Sequence, residues 1–166
     1  MDIISKEQRS RTMSRIHSSD TKPEKIVRKF LFSNGFRYRI NVKGLPGTPD
    51  IVLQKYHTVI FIHGCFWHNH ECLKGKLPQT NTSFWAHKFE KNKERDAKVR
   101  EELKQLGWNT LIVWECQLKP LVREKTLQEV AYLLNKANLT NLHKKYTIKE
   151  FPLPLAAEEK PPKYGK

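Results

Sequence analysis

Pro49-Asp50-Ile51-Val52-Leu53, a turn through Gln54-Lys55-Tyr56-His57, and then Thr58-Val59-Ile60-Phe61-Ile62-His63-Gly64 decide the fold of this chain. The first run is a short β-branched segment opened by a turn-forming Pro-Asp. Val59–Ile62 is continuously apolar, as expected of a strand buried in the middle of a sheet, and it stops at a polar residue and a glycine. A strand of that kind needs layers on both sides, and the flanking sequence supplies them. Upstream, Thr21-Lys22-Pro23-Glu24 has the pattern of a capping box. Ile26, Val27, Phe30 and Leu31 follow at helical spacing until Gly35, which predicts an amphipathic helix. From Phe36 the period changes to two. Phe36, Tyr38, Ile40 and Val42 alternate with Arg37, Arg39 and Asn41, which predicts a strand over 36–42 with one wet face.

Downstream, residues 65–81 follow neither period. A long helix is expected from Thr82 to Leu106, ended by Gly107; its apolar stripe of Trp85, Phe89, Val99 and Leu103 is interrupted by Asn92 and Asp96. Trp108–Glu115 reads as a strand and Thr126–Ala137 as a helix. The expected organisation is a polar, basic arm over 1–20, one folded domain over 21–137, and a basic, loosely held tail over 138–166. The strands near 36–42, 50–53, 58–63 and 109–115 would form one mixed sheet flanked by helices, an α/β sandwich.

Charge narrows the partners. The 166 residues hold 31 Lys and Arg against 17 Asp and Glu, a net charge of +14, so a polyphosphate is the first partner to consider. That balance is equally compatible with any basic protein and says nothing of chemistry. There is no apolar run long enough to span a bilayer, and the polar start lacks the pattern of a signal peptide, so a cytosolic protein is expected. In a reducing compartment Cys65, Cys72 and Cys116 are better metal ligands than disulfide partners.

The densest chemical signal is His63-Gly64-Cys65-Phe66-Trp67-His68-Asn69-His70-Glu71-Cys72, with Cys116 directly after a later strand. Zn²⁺ takes about four nitrogen or sulfur ligands, and such a set would staple the 65–81 loop to the end of strand 109–115. The alternative is buried free thiols beside surface histidines. The number of ligands in ten residues and the need to anchor a long loop favour zinc. Spacing alone does not say which histidines bind metal and which do chemistry. Pro49-Asp50 entering one strand, followed by an apolar strand ending at His63, is the layout of a PD-(D/E)xK nuclease core, in which a carboxylate holds Mg²⁺ beside the scissile phosphate. Here Phe61-Ile62-His63 stands where acid-x-lysine is usual. Glu24 is fully explained as a capping residue, with a metal-site role as the second reading.

Taken together, Pro49-Asp50, Val59 to His68, Cys72, Phe84-Trp85, Lys91-Asn92, Glu94-Arg95-Asp96, Leu106-Gly107-Trp108 and Leu111 to Cys116 resemble the very short patch repair endonucleases, over about Arg9 to Cys116. That resemblance implies a DNA mismatch endonuclease that nicks duplex DNA beside the thymine of a T:G pair left by deamination of 5-methylcytosine. It implies that Asp50 and the backbone carbonyl of Ile62 hold Mg²⁺, that Glu24 meets the hydrated metal, and that His63 and His68 act at the scissile phosphate. It further implies that Cys65, His70, Cys72 and Cys116 bind structural zinc. Phe66, Trp67 and Trp85 would stack into the duplex from one groove while Met13 and Ile16 approach from the other, and Lys88 and Asn92 would read base edges. Residue 62 is Ile where the family usually has Thr; a carbonyl ligand survives that change and a hydroxyl does not. A monomer acting in the cytoplasm on the nucleoid, followed by other repair proteins, completes the expectation. Two rival readings are a catalytically silent zinc DNA-binding protein and a related nuclease acting on matched DNA.

Overall fold

In the computed structural model, residues 5–14 and 19–145 are described. The elements in order are α1 (Lys6–Ser14), α2 (Lys22–Ser33), β1 (Arg39–Ile40), β2 (Ile51–Leu53), β3 (Thr58–His63), α3 (Thr82–Gln105), β4 (Asn109–Trp114) and α4 (Pro120–Lys145). Single 3₁₀ turns lie at Gln54–Tyr56, Leu73–Gly75 and Glu115–Leu118. The sheet has the order β1-β2-β3-β4, with β1, β2 and β3 antiparallel in turn. β3 and β4 are parallel, because α3 carries the chain back to the same end of the sheet before β4 begins.

The pleat divides the core in two. Ile51, Leu53 and Ile60 point to one face and meet Val27 and Leu31 of α2 and Leu127, Val130 and Leu134 of α4. Val52 and Val59 point to the other and meet Leu103 of α3, with Phe61, Val99 and Trp108 packed around them. Val59 and Ile60 are both fully buried, as a strand covered on both faces requires. The mixed α/β sheet expected from the sequence is therefore present, with helices on both sides.

Two expected boundaries are corrected. The strand over 36–42 is reduced to Arg39–Ile40. Phe36 turns into the core against Tyr56, with ring centroids 5.3 Å apart, and the Tyr38 hydroxyl donates to the Arg28 carbonyl at 3.1 Å. Asn41 then takes a left-handed conformation (φ 47°) that breaks the extended chain. Alternation here records tertiary contacts of single residues more than a ladder. The helix expected over 126–137 instead runs Pro120–Lys145, past Asn138. Pro120 suits a first helical position, no glycine or proline interrupts the next 25 residues, and the Asn141 side chain donates to the Tyr56 carbonyl at 3.1 Å. No helix among the described residues is long and apolar enough to cross a membrane.

Candidate active site and metal centre

The sheet register assembles the site. Because β2 and β3 are antiparallel with Ile51 opposite Ile60, the residue before β2 lies beside the end of β3, and Asp50 Oδ2 accepts the Ile62 N–H at 2.7 Å. Asp50 opens onto a cleft of about 790 Å³ that also receives Glu24, His63, Trp67, His68 and Asp96. Burial pushes the Asp50 carboxyl up from 3.8 to about 6, with the nearby Glu24 charge adding to the rise and the Ile62 amide opposing it. A cation at this carboxylate would relieve that burial cost.

Glu24 satisfies both readings of the sequence. It closes the capping box with Thr21 and also faces the cleft. Its Oε1 accepts the Thr21 hydroxyl at 2.7 Å and its Oε2 accepts Arg28 Nη2 at 2.6 Å. Arg28, itself buried, also pairs with Asp20. Both Glu24 oxygens are thus engaged within the protein, which suits contact with metal-bound water better than direct ligation. Arg28 has no distinguishing mark in the sequence. Only the fold shows that it neutralises the carboxylate that α2 buries.

His63 and His68 stack with ring centroids 3.7 Å apart and planes 8° from parallel. His68 Nδ1 lies 2.5 Å from Asp96 Oδ2, which leaves Nε2 free to face the cleft. Burial first, and the neighbouring His68 second, lower His63 from 6.5 to about 4, so it is neutral at pH 7. Ligand atoms of His63, His68 and Asp96 approach one another within 4.8 Å. Parallel rings, however, do not converge their in-plane lone pairs on one ion, and the trio is better suited to moving protons. Asp96 was visible in the sequence only as a polar break in the α3 stripe. Asn92, four residues earlier, has the same explanation: it is buried and its Nδ2 donates to the Trp67 carbonyl at 2.7 Å. One of its amide N–H groups is thus used inward, while Lys88 on the same helix is exposed.

The parallel pairing of β3 and β4 ends both strands side by side, so Cys65 just after β3 meets Cys116 just after β4. Ligand atoms of Cys65, His70, Cys72 and Cys116 all lie within 4.8 Å of one another. Tetrahedral thiolates at a Zn–S distance of about 2.3 Å stand roughly 3.8 Å apart, so three sulfurs and one imidazole fit zinc in both number and spread. Cys65 is fully buried and burial pushes its thiol up to about 12, while the His70 hydrogen bond draws Cys72 down to about 6. His70 is braced by stacking on Trp114 at 4.1 Å, and Lys74 bonds Glu115 at 2.8 Å across the same junction. Gly75 is obligatory here: a Cβ would stand 1.8 Å from the His70 carbonyl oxygen.

Phe66, Trp67 and Trp85 form one aromatic group, with centroids 4.9–6.2 Å apart, and Trp67 lines the cleft. All three are half-buried, and Phe66 meets buried Phe89 edge-on at 5.4 Å. Met13 lies on α1; Ile16 lies outside the described residues.

Comparison with known proteins places these features in one context. The family model for DNA mismatch endonuclease Vsr matches residues 1–74. The chain is 57% identical over 118 residues to the type II nicking enzyme V.NmeAIP of Neisseria meningitidis, spanning 71% of this chain and 84% of that one. It is 45% identical over 128 residues to DNA mismatch endonuclease Vsr of Escherichia coli, 77% and 81% of the two chains. The type II nicking enzyme V.XorIIP of Xanthomonas oryzae matches at 44% over 120 residues, 72% and 88% of the two chains.

Proposed function

Because this chain belongs to the DNA mismatch endonuclease Vsr family and so is a DNA endonuclease, we propose that it nicks duplex DNA beside the thymine of a T:G mismatch, using Mg²⁺. The observation that carries this reading is the cleft in which Asp50, Glu24 and the stacked His63–His68 pair lie beside Trp67, which joins Phe66 and Trp85 in one aromatic group. Cutting chemistry and a stacking platform share one opening. The restriction-endonuclease type of sheet is part of the same reading, supported by the Pro49-Asp50 entry to β2 beside the end of β3.

Asp50 and the Ile62 carbonyl would hold Mg²⁺, with Glu24 reaching its water shell; the ion would polarise the scissile phosphate and lower the pKa of the attacking water. His68, oriented by Asp96 through Nδ1, would use Nε2 in the cleft for acid–base work, and neutral His63 would hydrogen-bond to the phosphate or its attacking water. Arg95 and Arg100 line the same cleft and would attract the phosphate backbone. Ile62 packs its side chain against the α2/α4 core and offers only backbone to Asp50, so a hydroxyl is not needed for the roles assigned here. Zinc at Cys65, His70, Cys72 and Cys116 would fix the loop that carries Phe66, Trp67 and His68. The arm with Met13 and Ile16 would approach the other groove, Lys88 and Asn92 would face base edges, and the enzyme would act as a monomer on nucleoid DNA in the cytoplasm, leaving a nick for other repair proteins.

The names of the relatives favour a second reading, a strand-nicking enzyme with no need of a mismatch. Strand-labelled T:G and T:A duplexes, incubated with and without Mg²⁺, separate the two. The proposal expects one nick, on the thymine strand of the T:G duplex, and only with Mg²⁺. Equal nicking of T:A duplex would replace it with the second reading.

A further inference from the structure

Thr48, in the turn that delivers Asp50, adopts a conformation that its own side chain disfavours. Its φ is 49°, in the left-handed region where a β-branched residue is rare and Gly, Asn or Asp is ordinary. Pro49 follows, which further narrows the conformations open to the residue before it. The neighbours impose the turn. Gly47, also left-handed (φ 71°), lies so close to α3 that a Cβ would stand 2.5 Å from Val99 Cγ1 and 3.3 Å from Phe61 Cζ, and Pro49 is fully buried. Between these two pinned residues Thr48 is exposed and lines the cleft that holds Asp50.

The fold itself does not call for a threonine there. The Thr48 N–H donates to the Leu45 carbonyl at 3.2 Å, a bond that any residue but proline can make, and among the described residues the hydroxyl has no hydrogen-bond partner. An exposed residue held in a costly conformation without a partner in the fold points to a contact outside it. The packing of Gly47 on Val99 sets Thr48 near the stretch of α3 that carries Arg95 and Arg100, which line the same cleft. Arg95 Nη2 donates to the Asp96 carboxylate at 3.2 Å and Arg100 Nε to the Asp96 carbonyl at 3.3 Å, so each guanidinium keeps further donors for a ligand. We propose that Thr48 is a backbone-contact residue whose hydroxyl donates to a non-bridging oxygen of a DNA phosphate flanking the one that is cut. Arg95 and Arg100 supply attraction on long, flexible stems, whereas the short, β-branched Thr48 fixes where the strand lies beside Asp50. This inference rests on reading the cleft as the place where DNA is cut. It does not depend on a preference for T:G, because a phosphate contact carries no base information.

Three variants of the full chain test it. Thr48→Val keeps the branched shape and loses the hydroxyl, Thr48→Ser keeps the hydroxyl, and Thr48→Gly relaxes the turn. Affinity for T:G and for T:A duplex is measured by gel shift without Mg²⁺, with a single neutral methylphosphonate placed at each phosphate around the cut in turn, alongside thermal melts. Thr48→Val is expected to bind both duplexes roughly ten-fold more weakly, the worth of a hydrogen bond to a charged group, and Thr48→Ser to stay within about two-fold of wild type, both at an unchanged melting temperature. Thr48→Gly should also lose affinity while its melting temperature holds or rises by about 2–4 °C, since relief of the left-handed turn offsets the added freedom of the unfolded chain. At one phosphate the methylphosphonate should weaken wild type more than it weakens Thr48→Val, and at the others both equally. Wild-type affinity in Thr48→Val, or equal losses in both proteins at every phosphate, would overturn the proposal. A melting temperature lowered by several degrees in Thr48→Val would overturn it too, making the residue a packing element, as would an altered T:G-to-T:A ratio, which would make it a reader of bases.

Discussion

The Cys/His cluster and the cleft share the loop after β3, yet they are built differently. Three of the four residues of the cluster, which could hold a metal ion, lie within eight residues, Cys65 to Cys72, and only Cys116 comes from elsewhere. The cleft takes Glu24 from α2, Asp50 from the turn before β2, His63 from β3, His68 from the loop and Asp96 from α3. A local cluster anchors a segment, whereas a dispersed one depends on the whole fold to bring its members together. Loss of the cluster should therefore disorganise both regions, while damage to the cleft should leave the fold intact.

The largest expected effect follows directly. Structural zinc contributes roughly 10–16 kcal/mol in small zinc domains, as much as a whole domain's stability. Stripping zinc with a strong chelator, or Cys65→Ala, is expected to unfold residues 65–81 and abolish cutting, seen as a lost melting transition and loss of one equivalent of zinc by elemental analysis. Fully folded, active protein without zinc would make the two regions independent. Asp50→Asn should do the reverse. Cutting falls about 10³-fold or more, since several kcal/mol of metal-held charge stabilisation are removed, while binding to T:G duplex by gel shift and the fold survive. Asp96→Asn, which removes the charged partner of His68 Nδ1, is expected to lower kcat by about 10²-fold at unchanged zinc content.

The smallest effects are in stability against pH. The Asp50 carboxyl is raised to about 6 in the folded, magnesium-free protein, so its burial cost appears as pH rises from about 4 to 6. His63 is lowered to about 4, so the stability it permits is present above its ordinary 6.5 and is lost as pH falls from 6.5 toward 4. The two slopes oppose each other. Relative to wild type, Asp50→Asn should gain stability with rising pH across that window and His63→Gln should lose it, each on the order of 1 kcal/mol after solvent screening. Thermal melts at pH 4.5, 5.5 and 6.5 check the signs.

The same contrast explains what the sequence disclosed. Cys65, His70, Cys72 and the buried strand Val59–Ile62 were legible because their signal is local, in density or periodicity. Periodicity marked Asp96 and Asn92 as no more than polar breaks in an apolar stripe, and their further weight came from the resemblance, since their partners His68 and Trp67 lie 28 and 25 residues away. Arg28 left no trace at all, because a basic residue on a basic protein's helix is unremarkable until Glu24 is seen buried beside it. Phe36 to Val42 misled in the opposite direction, with an alternation produced by separate contacts of Phe36 and Tyr38.

The most direct measurement of the account is the single-turnover rate on T:G duplex divided by that on T:A duplex with Mg²⁺, for the wild type and for Trp67→Ala. Stacking on one aromatic ring is worth about 1–3 kcal/mol, or roughly ten- to hundred-fold. The wild type should show a large ratio and Trp67→Ala a ratio reduced by about that factor, at unchanged zinc content and melting temperature. A wild-type ratio near one, or a Trp67→Ala protein that keeps the full ratio, would contradict the account.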